Sequence, residues 1–234
     1  MRHDPPPLML FAAGFGTRMG ALTAARPKPL IPVGGRALID HALVLADEAG
    51  ITRSVANVHY LPDQIAAHLA GRDIALSWER ERILETGGGL KAALPLLGRN
   101  PVATLNTDAV WTGRNPLVQL MAAWDGGRMD GLLLLLPAGQ ARGHSGRGDF
   151  LMAPDGRLTR ARGAAGPVYL GAQILRTDGL AAIADPVFSL NKLWDQMIAA
   201  GRLYGLIHDG GWCDVGHPEG IAEAEAMLAG AADV

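Results

Sequence analysis

A glycine loop, two cations and two carboxylates carry the chemistry this chain can do. The loop is Ala12-Ala13-Gly14-Phe15-Gly16-Thr17-Arg18-Met19-Gly20, and Arg26-Pro27-Lys28-Pro29-Leu30 follows it. Glycines let a backbone approach an anion and turn its N–H groups towards it. The spacing is not GxxxxGK[ST], which excludes the standard nucleoside-triphosphatase loop. Met19 also stands where the third glycine of GxGxxG belongs. By glycine spacing alone, phosphate binding and a tight structural turn stand equal. Lys28 tips the balance. Prolines on both sides stiffen the chain around it. Only Lys28, Lys91 and Lys192 are lysines among the 21 basic residues. Solvated charge is the usual fate of Lys and Arg, but a scarce lysine locked beside a glycine loop has a better use on a phosphate.

The first carboxylate ends Asn106-Thr107-Asp108, and magnesium is commonly held by one or two carboxylates plus substrate phosphates. The second is Asp214, in Gly211-Trp212-Cys213-Asp214-Val215-Gly216. Taken alone, Asp214 reads first as a turn-capping aspartate between glycines. His208, Asp209, Asp214 and His217 lack the spacing of a transition-metal site. His144 suits a ligand contact and a solvated loop equally. Cys213, the single cysteine, reads as a small buried residue and excludes an internal disulfide. Trp111, Trp124 and Trp194 read as packing residues.

These segments need a frame that brings them together. Apolar runs at Leu8–Ala12, Ser54–Val58, Ile74–Trp78 and Pro101–Leu105 read as strands. They alternate with helical spacing over Arg36–Ala49 and Pro62–Ala70, and with a glycine triplet followed by a helix over Thr86–Leu97. Such alternation implies right-handed crossovers and a largely parallel sheet. Ligands of an open parallel sheet sit beyond the carboxyl ends of its strands. The glycine loop follows the first strand and Asp108 follows the fourth. If those strands are neighbours, the loop, its cations and Asp108 share a crevice. Further on, Gly131–Leu136, Phe150–Met152, Val168–Leu175 and Leu203–His208 read as strands. Leu190–Ala200 and Pro218–Leu228 read as helices, and residues 137–167 are too glycine-rich to assign.

Composition narrows the classes. The 234 residues are 49% hydrophobic and 19% charged, enough for a core, and 31 are glycine against a usual ~7%. That length fits one domain spanning 1–234. A net charge of −2 argues against nucleic-acid or polybasic membrane binding. The apolar runs at 8–13 and 132–136 fall short of a signal core or a ~20-residue membrane span. A cytoplasmic protein without membrane or nucleic-acid partners is expected, monomeric or in a small homo-oligomer.

Together the segments resemble the sugar-1-phosphate nucleotidyltransferases. AAGFGTRM (12–19) followed by RPKPLIPVGGRALI (26–39) is similar to that family's signature. The resemblance continues through LETGGGLKAALPLLG (84–98), LNTDAVW (105–111), GRGDF (146–150), VYLGAQIL (168–175) and WCDVGHPEGIAEAE (212–225). ETGGG with GRGDF looks most like the N-acetylmuramate-1-phosphate uridylyltransferases of peptidoglycan recycling. Guanylyltransferases for heptose or mannose 1-phosphate are the nearest alternative, and a non-catalytic nucleotide-sugar-binding regulator is the other.

The resemblance implies a Rossmann-like α/β three-layer sandwich with a mostly parallel, mixed central sheet. It also implies nucleotidyl transfer from a nucleoside triphosphate to a sugar 1-phosphate with Mg2+. By motif position, Ala12, Ala13 and Gly14 would meet base and ribose. Gly16, Thr17 and Arg18 would hold the β- and γ-phosphates, and Lys28 the α-phosphate. Glu79, Gly87 and Gly88 would line the base and sugar sites, with Asn106 at the nucleotide. Asp108 and Asp214 would hold the metal. Glu85, Arg147, Asp149, Gly171 and Trp212 would lie at the sugar. Two departures stand out. Thr107 replaces the usual glycine of Asn-Gly-Asp, adding bulk beside the metal. No lysine lies between Lys91 and Lys192, so Arg147 is the expected stand-in for a sugar-phosphate lysine, ahead of Arg142 and Arg162.

Overall fold

The computed structural model describes residues 4–232. Its spine is a seven-stranded sheet of β1 (Leu8–Phe11), β2 (Ser54–Val58), β3 (Ile74–Trp78), β4 (Val102–Asn106), β5 (Gly131–Pro137), β6 (Pro167–Leu175) and β7 (Leu203–Ile207). The strand order is β7-β5-β6-β4-β1-β2-β3. β6 runs antiparallel to both its neighbours; the other adjacent pairs are parallel. β1 and β4 are direct neighbours, with Phe11 opposite Asn106. The glycine loop and Asp108 therefore leave the sheet side by side.

Strand alternation divides the core into two layers. Leu8 and Leu10 face α1 (Leu38–Glu48), α2 (Pro62–His68) and α4 (Pro116–Ala123), with Ile39, Leu43, Ile65 and Leu120 packed on them. Met9 faces the other way, towards α3 (Glu85–Leu97) and α5 (Asn191–Ala199), among Leu90, Leu97, Leu193 and Met197. Residues 131–136 are all buried, as the unbroken apolar run requires of a strand covered on both faces. No helix among the described residues is long and apolar enough to cross a membrane.

A third, smaller cluster forms where α6 (Glu219–Ala232) packs on a three-stranded sheet. In that sheet Gly210–Asp214 lies between Ala109–Gly113 and Ala141–Arg142. This sheet and α4 were not read from the sequence. The Asn115-Pro116 pair was the available signal for α4, since Asn115 Oδ1 caps the helix by accepting from Leu117 and Val118 N–H at 2.9 and 3.2 Å. The stretch 137–167 holds a short hairpin, Phe150–Met152 with Leu158–Arg160. The Gly87–Gly89 triplet lies inside α3 rather than before it.

Candidate active site

Beyond the carboxyl ends of β1, β2 and β4 opens a crevice of about 270 Å3, near the lower end of small-molecule sites at ~300 Å3. Ala12, Ala13 and Gly14 form one wall, Glu85 and Thr86 the other, and Lys28, Asn57, Asn106 and Asp108 line it. The loop's geometry explains its glycines. Gly16 has φ +64°, and a Cβ there would come within 2.9 Å of Lys28 Cβ. The loop thus packs directly against the lysine that the prolines hold. Lys28 is 8% exposed, and its Nζ donates to Asp108 Oδ2 at 2.8 Å.

Asp214 reaches the same place from the other end of the chain. It lies opposite Ala109 in the antiparallel pair, and Val215 N–H donates to Asp108 C=O at 2.9 Å. Burial raises the Asp214 carboxyl above its ordinary pKa, and the Asp108 charge raises it further; Lys28, Arg18 and His144 pull the other way. Gly216 lets Arg18 approach, since a Cβ there would lie 2.6 Å from Asp214 Oδ2 and 3.0 Å from Arg18 Nη1. The predicted quartet of Arg18, Lys28, Asp108 and Asp214 is therefore one cluster. Two carboxylates in a partly buried place call for a cation, and all-oxygen donors with room for phosphates suit magnesium. Among the described residues no third metal-ligating side chain joins them.

Thr107 lines the crevice beside Asp108, as its replacement of glycine implies. Its Oγ1 donates to Phe11 C=O at 2.7 Å, which ties the ends of β4 and β1 together. Gly171, with φ +84°, sits in the irregular stretch of β6 between Tyr169 and Gln173. A Cβ there would come within 2.8 Å of Asn106, so Gly171 backs Asn106. Asp149 Oδ2 accepts from Tyr169 N–H at 2.8 Å and braces the same stretch. Thr17 is exposed on the loop. Arg147 is exposed at the foot of the hairpin, its C=O accepting from Gly166 N–H, and does not line the crevice.

Three sequence-based assignments need correction. Trp212 is 5% exposed and packs on Trp111 at 6.4 Å between ring centroids, a core role fixed by strand register rather than a sugar contact. The N–H groups of Gly87 and Gly88 both donate to Phe188 C=O, at 2.9 and 3.0 Å, so they are not free for a ligand. Their missing side chains make room for the 186–188 segment: a Cβ would lie 2.4 Å from the Phe188 ring at Gly87 and 2.3 Å from Pro186 O at Gly88. Glu79 is 3% exposed and lies behind the crevice, with both carboxylate oxygens engaged by protein N–H groups.

One residue of the site was missed. Asn57 lines the crevice, and its Oδ1 accepts from Ala12 N–H at 2.8 Å. Its place at the carboxyl end of a strand was the readable signal. His144 lies in a second depression on the far side of Asp214, with a buried Nε2 that has no partner among the described residues. Cys213 is buried, which pushes its thiol up to about 11, so it is protonated and no nucleophile.

An α/β sheet whose carboxyl edge joins a glycine loop, two cations and a carboxylate pair defines an enzyme that handles nucleotide phosphates. Residues 8–167 match the family model for the MobA-like NTP transferase domain. The chain is 41% identical to the N-acetylmuramate alpha-1-phosphate uridylyltransferase of Caulobacter vibrioides, over 98% of this chain and 99% of that protein. It is 34% identical to the protein of the same name from Neisseria meningitidis, over 95% and 98%. Among solved structures, HddC from Yersinia pseudotuberculosis complexed with GMP-PN superposes with a TM-score of 0.77 at 17% identity, covering 95% of this chain and 99% of that one. The chain belongs to the sugar-1-phosphate nucleotidyltransferase family, within the MobA-like NTP transferases, and is a nucleotidyltransferase.

Proposed function

We propose that this enzyme transfers a uridylyl group from UTP to N-acetylmuramate 1-phosphate, using Mg2+ held by Asp108 and Asp214. The convergence of Lys28 and Arg18 on that carboxylate pair carries the reading, and the full-length similarity to two uridylyltransferases supports the substrate pair. A phosphate oxygen of the sugar 1-phosphate attacks the α-phosphorus. The bond from that phosphorus to the bridging oxygen breaks, and pyrophosphate leaves with the electron pair. The attacking group is already an anion, so no general base is needed. Positioning and charge neutralisation do most of the work. Lys28 would neutralise the α-phosphate and Arg18 the leaving pyrophosphate. Bound magnesium would supply charge stabilisation between the two reactants. The Ala12–Gly14 wall would take the base and ribose, and the Glu85 wall the sugar.

Pyrophosphate release, measured with four nucleoside triphosphates against several sugar 1-phosphates, tests this. The expected result is a maximum for UTP with N-acetylmuramate 1-phosphate and loss of turnover in EDTA. Preference for GTP with a heptose or mannose 1-phosphate would replace the substrate assignment. Tight nucleotide binding without turnover of any pair would favour a regulatory protein.

A further inference from the structure

Glu79 is a carboxylate buried in a place where few carboxylates go, and its hydrogen bonds show why it is there. Oε1 accepts from Asn57 Nδ2 at 2.7 Å, and Oε2 accepts from Leu84 N–H at 2.7 Å. Asn57 passes the constraint on, because its Oδ1 accepts from Ala12 N–H at 2.8 Å. Leu84 passes it the other way. The next residue, Glu85, lines the crevice with φ +63°, a backbone conformation that a non-glycine residue holds only when its surroundings impose it. Gly89 closes over the relay, for a Cβ there would lie 2.7 Å from Glu79 Oε1 and 2.9 Å from Asn57 Nδ2.

We infer that Glu79 is a positioning residue that clamps the two walls of the crevice to each other, and that it does not read the base. One wall is the Ala12–Gly14 loop, held through Asn57; the other is the Glu85 turn, held through Leu84. The need for a carboxylate follows from the donors. Two N–H groups arrive from opposite sides, and only an ionised acid offers two acceptor oxygens with no donor of its own. Each oxygen is directed at a protein donor, and the side chain is 3% exposed behind the crevice lining, so a base edge does not reach it. This goes beyond the proposed reaction. It rests on that reading only in taking the Ala12 wall as the nucleotide's.

The test is Glu79→Gln, with nucleotide binding measured by calorimetry for UTP, CTP, GTP and ATP on wild type and variant. Sugar phosphate is left out, so an error in the sugar assignment does not touch the result. Failure of the wild type to bind any triphosphate would sink the nucleotide reading and be seen first. In the variant the new amide sets a donor against either Asn57 Nδ2 or Leu84 N–H. All affinities are expected to fall by one common factor, roughly tenfold or more, with the order of preference unchanged. In steady state the change should fall more on KM for the nucleotide than on kcat. A selective loss of UTP over CTP would show a base reader and overturn the inference, as would unchanged affinities. The pair Asn57→Asp with Glu79→Gln restores every donor to an acceptor, because the introduced amide donates to the introduced carboxylate. Its unfolding midpoint should rise above that of Glu79→Gln alone. A pair no more stable than the single variant would refute the relay.

Discussion

Asp214 shows how a single residue trades stability for chemistry. Its carboxyl is raised above the ordinary value of 3.8, first by burial and then by the Asp108 charge. The unfolded chain ionises this group at its ordinary pKa, while the folded chain holds its proton to higher pH. Between the two values the folded state binds more protons, so this residue's contribution to stability falls as pH rises. Above the raised value the penalty is complete. Asp214→Asn removes it. In EDTA at pH 7.5 the variant should therefore melt at a higher temperature than wild type. The gap should narrow as pH falls towards 4. With magnesium and substrates the same variant should lose roughly 10²-fold or more in turnover. Melting curves across pH and a pyrophosphate assay check both halves. A variant that melts lower at pH 7.5 in EDTA would mean the carboxylate stabilises the fold. Lys28 does not offset the whole penalty, because it is bonded to Asp108.

At the scale of the element, the glycines of α3 are packing devices. Gly88 runs against backbone, with Pro186 O 2.3 Å from where a Cβ would stand. Backbone cannot swing away as a side-chain tip can. Gly88→Ala should cost about 1–3 kcal/mol by overpacking. Gly230 in α6 has nothing within 4 Å of its would-be Cβ. Gly230→Ala should gain up to about 1 kcal/mol from helix propensity. Urea unfolding of the two variants should move in opposite directions, and parallel shifts would contradict the packing account. The triplet also shows what the sequence could reveal. Its first two glycines were read as backbone lining the base and sugar sites, whereas what comes close to them is protein. The approaching segment lies about a hundred positions away, at Pro186–Phe188. The parallel strands were legible because each is a short apolar run closed by its own turn residues. The sheet of Ala109–Gly113 and Gly210–Asp214 was not, since its strands mix Trp, Thr and Gly and find their apolar face only when paired. Trp212 was misplaced for that reason: its burial depends on Trp111 across the register.

Across the whole molecule, the reactive cluster hangs on the smallest of the three cores. Met19 adjoins Arg18, Ile31 closes the turn that begins at Lys28, Val110 follows Asp108 by two residues, and Cys213 and Val215 flank Asp214. All five apolar residues belong to the cluster that α6 covers, apart from the two sheet layers. The site is thus assembled from four distant stretches of chain by one patch of burial. Met227 on α6 is part of that patch, 6% exposed, with its sulfur 3.0 Å from where a Cβ on Gly211 would lie. Met227→Ala opens a void at the patch, a change that costs about 2–5 kcal/mol in cores. Because the patch is separate from the main layers, the loss should fall on local opening rather than on global unfolding. In wild type, loss of activity and loss of far-UV circular dichroism should share one thermal midpoint. In Met227→Ala the activity midpoint should drop by several degrees more than the dichroism midpoint, with the seven-stranded sheet still folded when turnover stops. Equal drops in both would show that α6 and the sheet melt as one unit, and the cluster would then be no separate support for the site.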